Sequence, residues 1–503
     1  MSKSKLRTAL FLPLIFLFHT NLKSADILSF TETNGATVIH EEGETSDTYG
    51  IALTQQPTAA VKVVISGPAG ELTFGADRTE RFTITFTPDN WQTPQDVQIT
   101  AIDDAGIDLL QTHTLLHTVG STDTGLHLSE PVAFAIRIMD NDFVHALPDS
   151  YSIPTIDLDK PRFQVVVDRE EGQYLGHPTT TLLEDSSTIL TVYPKGHGRG
   201  AIVYKKSFDG GKTWSDRLPT PESWATSKEV PTLFRMTDPE GVERIIMFSG
   251  LYPARRAYSE DNGKTWSELE VVGNWGGIVV MGCFIRLKDG RYMAMFHDDG
   301  RFFKENGARD GFFRVFKTYT SDGGLTWSYP ETVIECEWAA PCEPGIFRSP
   351  DGKQLLVLMR ENSRKYNSLM MTSNDEGDTW SDLIELPAAL TGDRHTGKYL
   401  PDGRLFISFR DLTLSSPTRG DWVGWVGTYD DIINGREGQY RVRLKDNHKG
   451  ADCAYPGVER MPDGTIVTTT YGHWDENKEP YIMTIRFKIA SVDSMARSLQ
   501  PSR

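Results

Sequence analysis

SFDGGKTW, residues 207–214, decides how the rest of the chain is read. The phrase returns as SEDNGKTW at 259–266, TSDGGLTW at 320–327 and SNDEGDTW at 373–380. Each copy has the form Ser/Thr-x-Asp-x-Gly-x-Thr-Trp, and each part has a local task. An Asp side chain accepts hydrogen bonds from the backbone amides of a tight turn. Gly supplies a left-handed backbone conformation. Thr and Trp enter the next strand, where the indole buries a large flat face. A hairpin with a fixed turn, repeated roughly every 50 to 60 residues, marks an architecture of like units.

A second turn falls between these phrases. It is clear in LKDGRYMAMF (287–296), SPDGKQLLVL (349–358), LPDGRLFISF (400–409) and MPDGTIVTTT (461–470). Weaker forms are LEDSSTILTV (183–192) and TDPEGVERIIMF (237–248). Six turn–strand units predict an all-β fold, a six-bladed β-propeller over residues 163–490, with blades of about 50 residues. FQVVVD (163–168) is placed to supply the outer strand of the last blade and close the ring. A stretch at 145–162 holding three prolines reads as a linker, and 491–503 as a C-terminal tail.

In a four-stranded meander the DG turn joins the first strand to the second, and the Asp-x-Gly phrase joins the third to the fourth. Both turns then share one face. The start of the first strand and the end of the second lie on the other, around the axis. Counting back about eight residues from each DG aspartate reaches His177, Val230 beside Glu229, Met281, Glu343, Arg394 and Tyr455. Counting forward reaches Tyr193, His297 with Asp298, Arg360, Arg410 with Asp411, and Tyr471. A packing core does not select Tyr, Glu, Arg, His and Asp. The bland alternative is a polar, water-filled axial channel.

The 503-residue chain carries a formal net charge of −17, which disfavours non-specific binding to nucleic acid or anionic lipid. Lys3, Lys5 and Arg7 precede the apolar run ALFLPLIFLF, and Ser24 and Ala25 follow it. Residues 1–25 therefore read as a signal peptide, too short to span a bilayer, of a secreted, periplasmic or cell-surface protein. Nothing else is apolar enough to cross a membrane. The cysteines, Cys283, Cys336, Cys342 and Cys453, form no CxxC pair, so a zinc site is not expected. They read equally as buried thiols or, after export, as holding a Cys336–Cys342 bridge. No HExxH, phosphate-cradling glycine loop or serine elbow is present. Residues 26–144 show short alternating runs such as VKVVIS (61–66), RFTITFT (81–87) and DVQITAI (96–102), which predict an antiparallel sandwich of about seven strands.

Two resemblances follow from these motifs. CEPGIFRSPDGKQLLVLMR (342–360) and DCAYPGVERMPDGTIVTTTY (452–471), with the four Asp boxes, resemble the sialidase (neuraminidase) superfamily with Asp-box, or BNR, repeats. The resemblance implies an exo-glycosidase that releases terminal sialic acid with retention. It implies Tyr455 as nucleophile, Glu343 as its proton acceptor, Arg360 on the substrate carboxylate, and Arg410 or Arg394 as a second clamp. A neutral phenol approaches an anomeric carbon that bears a carboxylate, where a carboxylate nucleophile is repelled. Guanidinium forks suit that carboxylate.

The chain departs from the family twice. Where the family has Arg-Ile-Pro, it has YLGHPTTTLL with His177, a weaker clamp, and Arg199 is the replacement within the same blade. The first-blade loop PKGHGRGA lacks the Asp that serves as acid. Asp298 and Asp299 are the first choice in its place, with Glu229 and His197 as further candidates; the pair reads equally as a turn cap. Two alternatives stay open: a glycosidase for a different acidic sugar, or a non-catalytic glycan-binding propeller. The partner in each case is a sialylated or other acidic glycan, and catalysis needs no cofactor. HEEGETSDTYGIAL, FTPDNWQTPQDVQITAIDD and IMDND resemble a Calx-beta module, implying an immunoglobulin-like sandwich; its simplest role is that of a spacer or of an adhesion module that holds the propeller near a surface or glycan. Glu41, Glu42, Asp104, Asp140 and Asp142 are the residues that resemblance offers to calcium, with solvated end-loop acids as the alternative.

Overall fold

The computed structural model describes residues 27–32, 37–41, 44–103, 111–123, 125–139, 147–303, 312–336 and 338–499. The segment read as a signal peptide lies outside them. The chain is mostly β and divides into two compact units, Met1–Val144 and His145–Arg503.

The described residues of the first unit form two sheets. One runs Leu28–Glu32, Ser46–Leu53, Gln95–Ala101, Leu72–Phe74; the other runs Val38–His40, Val132–Met139, Gln111–Ser121, Val61–Ser66, Arg81–Phe86. Alternation along VKVVIS sends Val61, Val63 and Ile65 inward and Lys62 outward, as the pleat dictates. These residues join Ile51, Phe86, Ile99 and Ile136 in one core. The described strands number nine rather than about seven. Val38–His40 and Leu72–Phe74 are too short to leave a period in the sequence.

Among its described residues the second unit holds six sheets. Their first strands are Thr179–Leu182, Thr232–Thr237, Ile278–Arg286, Pro341–Arg348, Gly392–Tyr399 and Gly457–Arg460. Each touches the next, and the sixth touches the first. Together they line one cavity of about 320 Å³. Gln164–Asp168 pairs antiparallel with Tyr481–Lys488, the outer position the sequence gives it.

Two segments differ from expectation. Part of the stretch read as a linker is an edge strand, Thr155–Asp157, parallel to Tyr440–Lys445. It is held by buried Ile156 and Leu158 and by the Arg441 guanidinium stacked 4.5 Å from the Tyr151 ring. The stretch read as a tail is helical as far as Leu499. Val492 and Ala496 are buried there, and Asp493 takes hydrogen bonds from Arg404 at 2.9 Å and Tyr440 at 2.7 Å. One short helix offers too few periods to be seen in the sequence. No helix among the described residues is long and apolar enough to cross a membrane.

The Asp boxes form the expected turns. Asp261 accepts from the Lys264 and Thr265 amides, both at 2.9 Å, and from the Thr265 hydroxyl at 2.7 Å. Asp209 and Asp322 do the same in their copies, and Asp375 accepts from the Thr379 amide and hydroxyl. Gly263 has φ 72°, and a Cβ there would lie 2.3 Å from the Tyr204 hydroxyl and 2.5 Å from Leu190, both in the preceding sheet. Gly211 meets Val467 of the sixth sheet in the same way. Each box thus docks its sheet onto the one before, the first onto the last. The four cysteines are buried and sit outside any disulfide, so the Cys336–Cys342 bridge is not formed.

Candidate active site

At one end of the cavity the first strands begin with a kink. His177, Met281, Glu343 and Arg394 have φ between 52° and 61°, and Ala454, beside Tyr455, has φ 55°. Left-handed backbone costs a non-glycine residue about 1–2 kcal/mol. Three of the kinks break the strand register, between Ile278 and Cys283, Cys342 and Gly345, and Asp393 and Thr396. Bulges re-aim side chains, and such strain gathers at functional sites.

What the kinks aim is a polar cluster. The Tyr455 hydroxyl donates to a carboxylate oxygen of Glu343. Arg360 Nη1 donates to the same oxygen at 2.9 Å and to the Tyr455 hydroxyl at 3.4 Å. The Glu343 amide donates to His297 Nδ1 at 3.3 Å. Burial and the Asp393 charge raise the Glu343 carboxyl, but Arg360, with His297 and the Tyr455 hydroxyl, outweighs them and keeps the group below the usual carboxylate range. Burial, with the Glu343 charge, raises the Tyr455 phenol well above its ordinary value. The resting pair is therefore phenol and carboxylate.

Arg410 stacks with its guanidinium 5.6 Å from the Tyr455 ring. Asp393, fully buried, accepts from Arg410 Nε at 2.9 Å, from Arg364 at 2.7 and 2.9 Å, and faces Arg360 at 3.4 Å. Burial opposes its charge, yet Arg410, Arg360 and Arg364 hold it far below the usual range.

On the far side of Tyr455, the His177 ring lies 4.6 Å from the phenol ring. The Gly198 amide donates to His177 Nδ1 at 3.1 Å, so the ring proton sits on Nε2, 3.1 Å from the Tyr471 hydroxyl. Burial, with His197, Arg410 and Arg394, pushes His177 well below its ordinary value, and it stays neutral. Asp452 gathers the Tyr174 and Tyr471 hydroxyls at 2.7 and 3.2 Å and His473 at 3.0 Å. Burial works against its charge, but His197, Tyr174 and His473 hold it below the usual range.

Tyr455, Glu343, Arg360, Arg410 and His177 are thus brought together. Glu229 stands nearby, beside the Gly198 loop. Arg394 is buried against Gly282, and its Nη1 has no hydrogen bond among the described residues. Arg199 is exposed and makes no hydrogen bond or ion pair among the described residues. Asp298 caps a loop, accepting from the Phe302 and Phe303 amides at 3.1 Å, and Asp299 pairs with Arg301 at 2.7 Å. Asp298 thus has the turn-capping task that its sequence equally allows. Of the residues offered to calcium, Glu41 is buried, whereas Glu42, Asp104, Asp140 and Asp142 lie outside the described residues. No group of three or more His, Cys, Asp or Glu that could hold a metal occurs among the described residues. Sequence reasoning missed Asp393, Arg364, Asp452 and Tyr174. The available signal was adjacency: Asp393 precedes Arg394, and Asp452 and Tyr174 each stand three residues before a counted position.

The repeat region matches the model of the BNR repeat-like domain over residues 247–467. An anhydrosialidase of Macrobdella decora is 26% identical over 253 residues, covering 47% of this chain and 32% of that one. The chain therefore spans about a third of the length of that curated relative. Among solved structures, a protein of unknown function from Dyadobacter fermentans shares the fold, with a TM-score of 0.51 at 16% identity, covering 64% of this chain and 97% of that one. The NanB sialidase of Streptococcus pneumoniae aligns with a TM-score of 0.47 at 12% identity, covering 86% of this chain and 95% of that one.

Proposed function

We propose that the chain is a divergent member of the sialidase superfamily with BNR repeats, a reading supported by the BNR repeat-like match and the similarity to an anhydrosialidase, and that it is an exo-glycosidase releasing terminal sialic acid from glycoconjugates with retention. The observation that carries the reading is the Tyr455 hydroxyl bonded to the Glu343 carboxylate, with Arg360 donating to both. A buried phenol of raised pKa is a poor nucleophile by itself. Its proton passes to Glu343 as its oxygen attacks the anomeric carbon, so no free phenolate is needed. Arg360 and Arg410 supply the positive charge that receives the sugar's carboxylate. His177, neutral, adds contact but no charge. Nearby anions stabilise the oxocarbenium-like transition state, and no cofactor takes part.

The six sheets are read as the blades of one propeller, closed by Gln164–Asp168 and by the first Asp box. The first unit is read as an immunoglobulin-like sandwich that attaches the enzyme to a surface or glycan. Residues 1–25 are read as its export signal. The test is release of sialic acid as the α-anomer from an α-sialoside, with a covalent sugar trapped on Tyr455.

A further inference from the structure

A retaining displacement by Tyr455 needs a second proton carrier. The leaving oxygen must gain a proton, and the water that frees the enzyme must lose one. Glu343 is occupied with Tyr455 and Arg360. Asp393 is locked by three arginines, and Asp452 by two tyrosines and His473. Asp298 caps its loop and Asp299 pairs with Arg301.

Asp298 Oδ1 and Glu343 Oε2 also lack a hydrogen bond among the described residues, but the other oxygen of each carries two; Glu229 is the least engaged of these carboxyls. Its Oε1 accepts one bond, from the Val230 amide at 2.9 Å, and its Oε2 accepts none among the described residues. Two glycines make the space it occupies. A Cβ on Gly198 would lie 3.3 Å from Oε1, and one on Gly250 would lie 2.9 Å from Cγ. The Gly198 amide is bonded to His177, which packs on Tyr455. The carboxyl is thus brought from the second sheet into the first-sheet loop, one side chain away from the nucleophile.

We propose that Glu229 is the proton donor to the leaving oxygen and the base for the incoming water, an assignment that rests on the glycosidase reading above. In the first half-reaction the Tyr455 oxygen bonds the anomeric carbon while that carbon's bond to the leaving oxygen breaks. The phenolic proton passes to Glu343, and the Glu229 proton passes to the leaving oxygen. In the second half-reaction water bonds the anomeric carbon and the Tyr455 oxygen departs, recovering its proton from Glu343. The Glu229 carboxylate takes the proton of the water.

The surroundings suit this task. Burial raises the Glu229 carboxyl to about 7, against the lowering effect of the Val230 amide, Arg301 and His197 and with the help of the Glu343 charge. It is protonated below that pH, and the acid form is lost as pH rises through it.

The experiment compares the full chain with Glu229→Gln and Glu229→Asp on two α-sialosides, a nitrophenyl sialoside and a sialyl-lactoside. A nitrophenolate leaves without protonation, whereas the sugar alkoxide does not. Glu229→Gln is expected to lose roughly 10²- to 10⁴-fold in kcat/KM on the lactoside and under about tenfold on the nitrophenyl substrate. Glu229→Asp recovers part of the loss. The fall of lactoside cleavage above about pH 7 disappears in Glu229→Gln. Equal losses on both substrates, no loss on either, or a persisting alkaline fall would overturn the assignment while leaving the glycosidase reading intact. Silence of the wild type on both substrates would overturn that reading, and this one with it.

Discussion

Replacing Asp393 by Asn tests how the arginines of the site are held. The carboxylate is fully buried and meets Arg364 at 2.7 and 2.9 Å, Arg410 at 2.9 Å and Arg360 at 3.4 Å. Asparagine keeps the shape but not the charge, and its amide hydrogens face guanidinium donors. Breaking a buried ion pair costs about 3–5 kcal/mol. Arg364 and Arg360 keep partial contact with solvent, with side chains 32% and 19% exposed, which places the expected loss near the lower figure. The sign with pH follows from the depressed pKa of Asp393. The contribution is complete above the unfolded value of about 3.9 and is lost as pH falls through the folded one. Urea unfolding followed by tryptophan fluorescence should therefore show a gap between wild type and variant that is constant from about pH 5 to 8 and closes only in stronger acid. KM for an acidic sugar should rise in parallel, because Arg410 and Arg360 lose their anchor. A gap under about 1 kcal/mol at neutral pH, or one that widens on acidification, would refute the reasoning.

Glu343→Gln should lower kcat by roughly 10²- to 10⁴-fold with a smaller change in KM, since the proton of Tyr455 loses its acceptor. Steady-state kinetics of the double variant with Tyr455→Phe should show little further loss than Tyr455→Phe alone, because the two act as a unit. Gly263→Ala should destabilise the second unit by about 2–4 kcal/mol, a left-handed backbone added to a clash with Tyr204 and Leu190. A denaturation midpoint equal to wild type would show that the box does not dock as described.

The turns of the second unit were legible because their codes are local. Ser207 to Trp214 states its own hydrogen bonds, and the DG aspartates fix the count to His177, Glu343, Arg394 and Tyr455. What the count cannot see is which neighbour a side chain chooses across sheets. Tyr193 donates to Asp168, and Asp411 pairs with buried Arg441, so both leave the ring that their positions suggest. Arg394 turns against Gly282, while Asp393, one residue earlier, becomes the anchor of the cluster. Asp298 shows the converse, since a carboxylate two residues before a glycine codes equally for a turn. The edge strand at Thr155–Asp157 escaped notice because its pairing partner is distant in sequence, and the helix to Leu499 because one short helix offers too few periods.

The most direct measurement is mass spectrometry after incubation with a 3-fluorosialosyl fluoride, which reacts readily with the nucleophile but leaves it slowly. Tyr455 is the only tyrosine in the tryptic peptide 450–460. The account predicts time-dependent loss of activity and one fluorosialosyl unit on that peptide, located on Tyr455 by fragmentation and absent in Tyr455→Phe. An active enzyme that forms no adduct, or that carries it on Asp452, Glu459 or any other residue, would contradict the account.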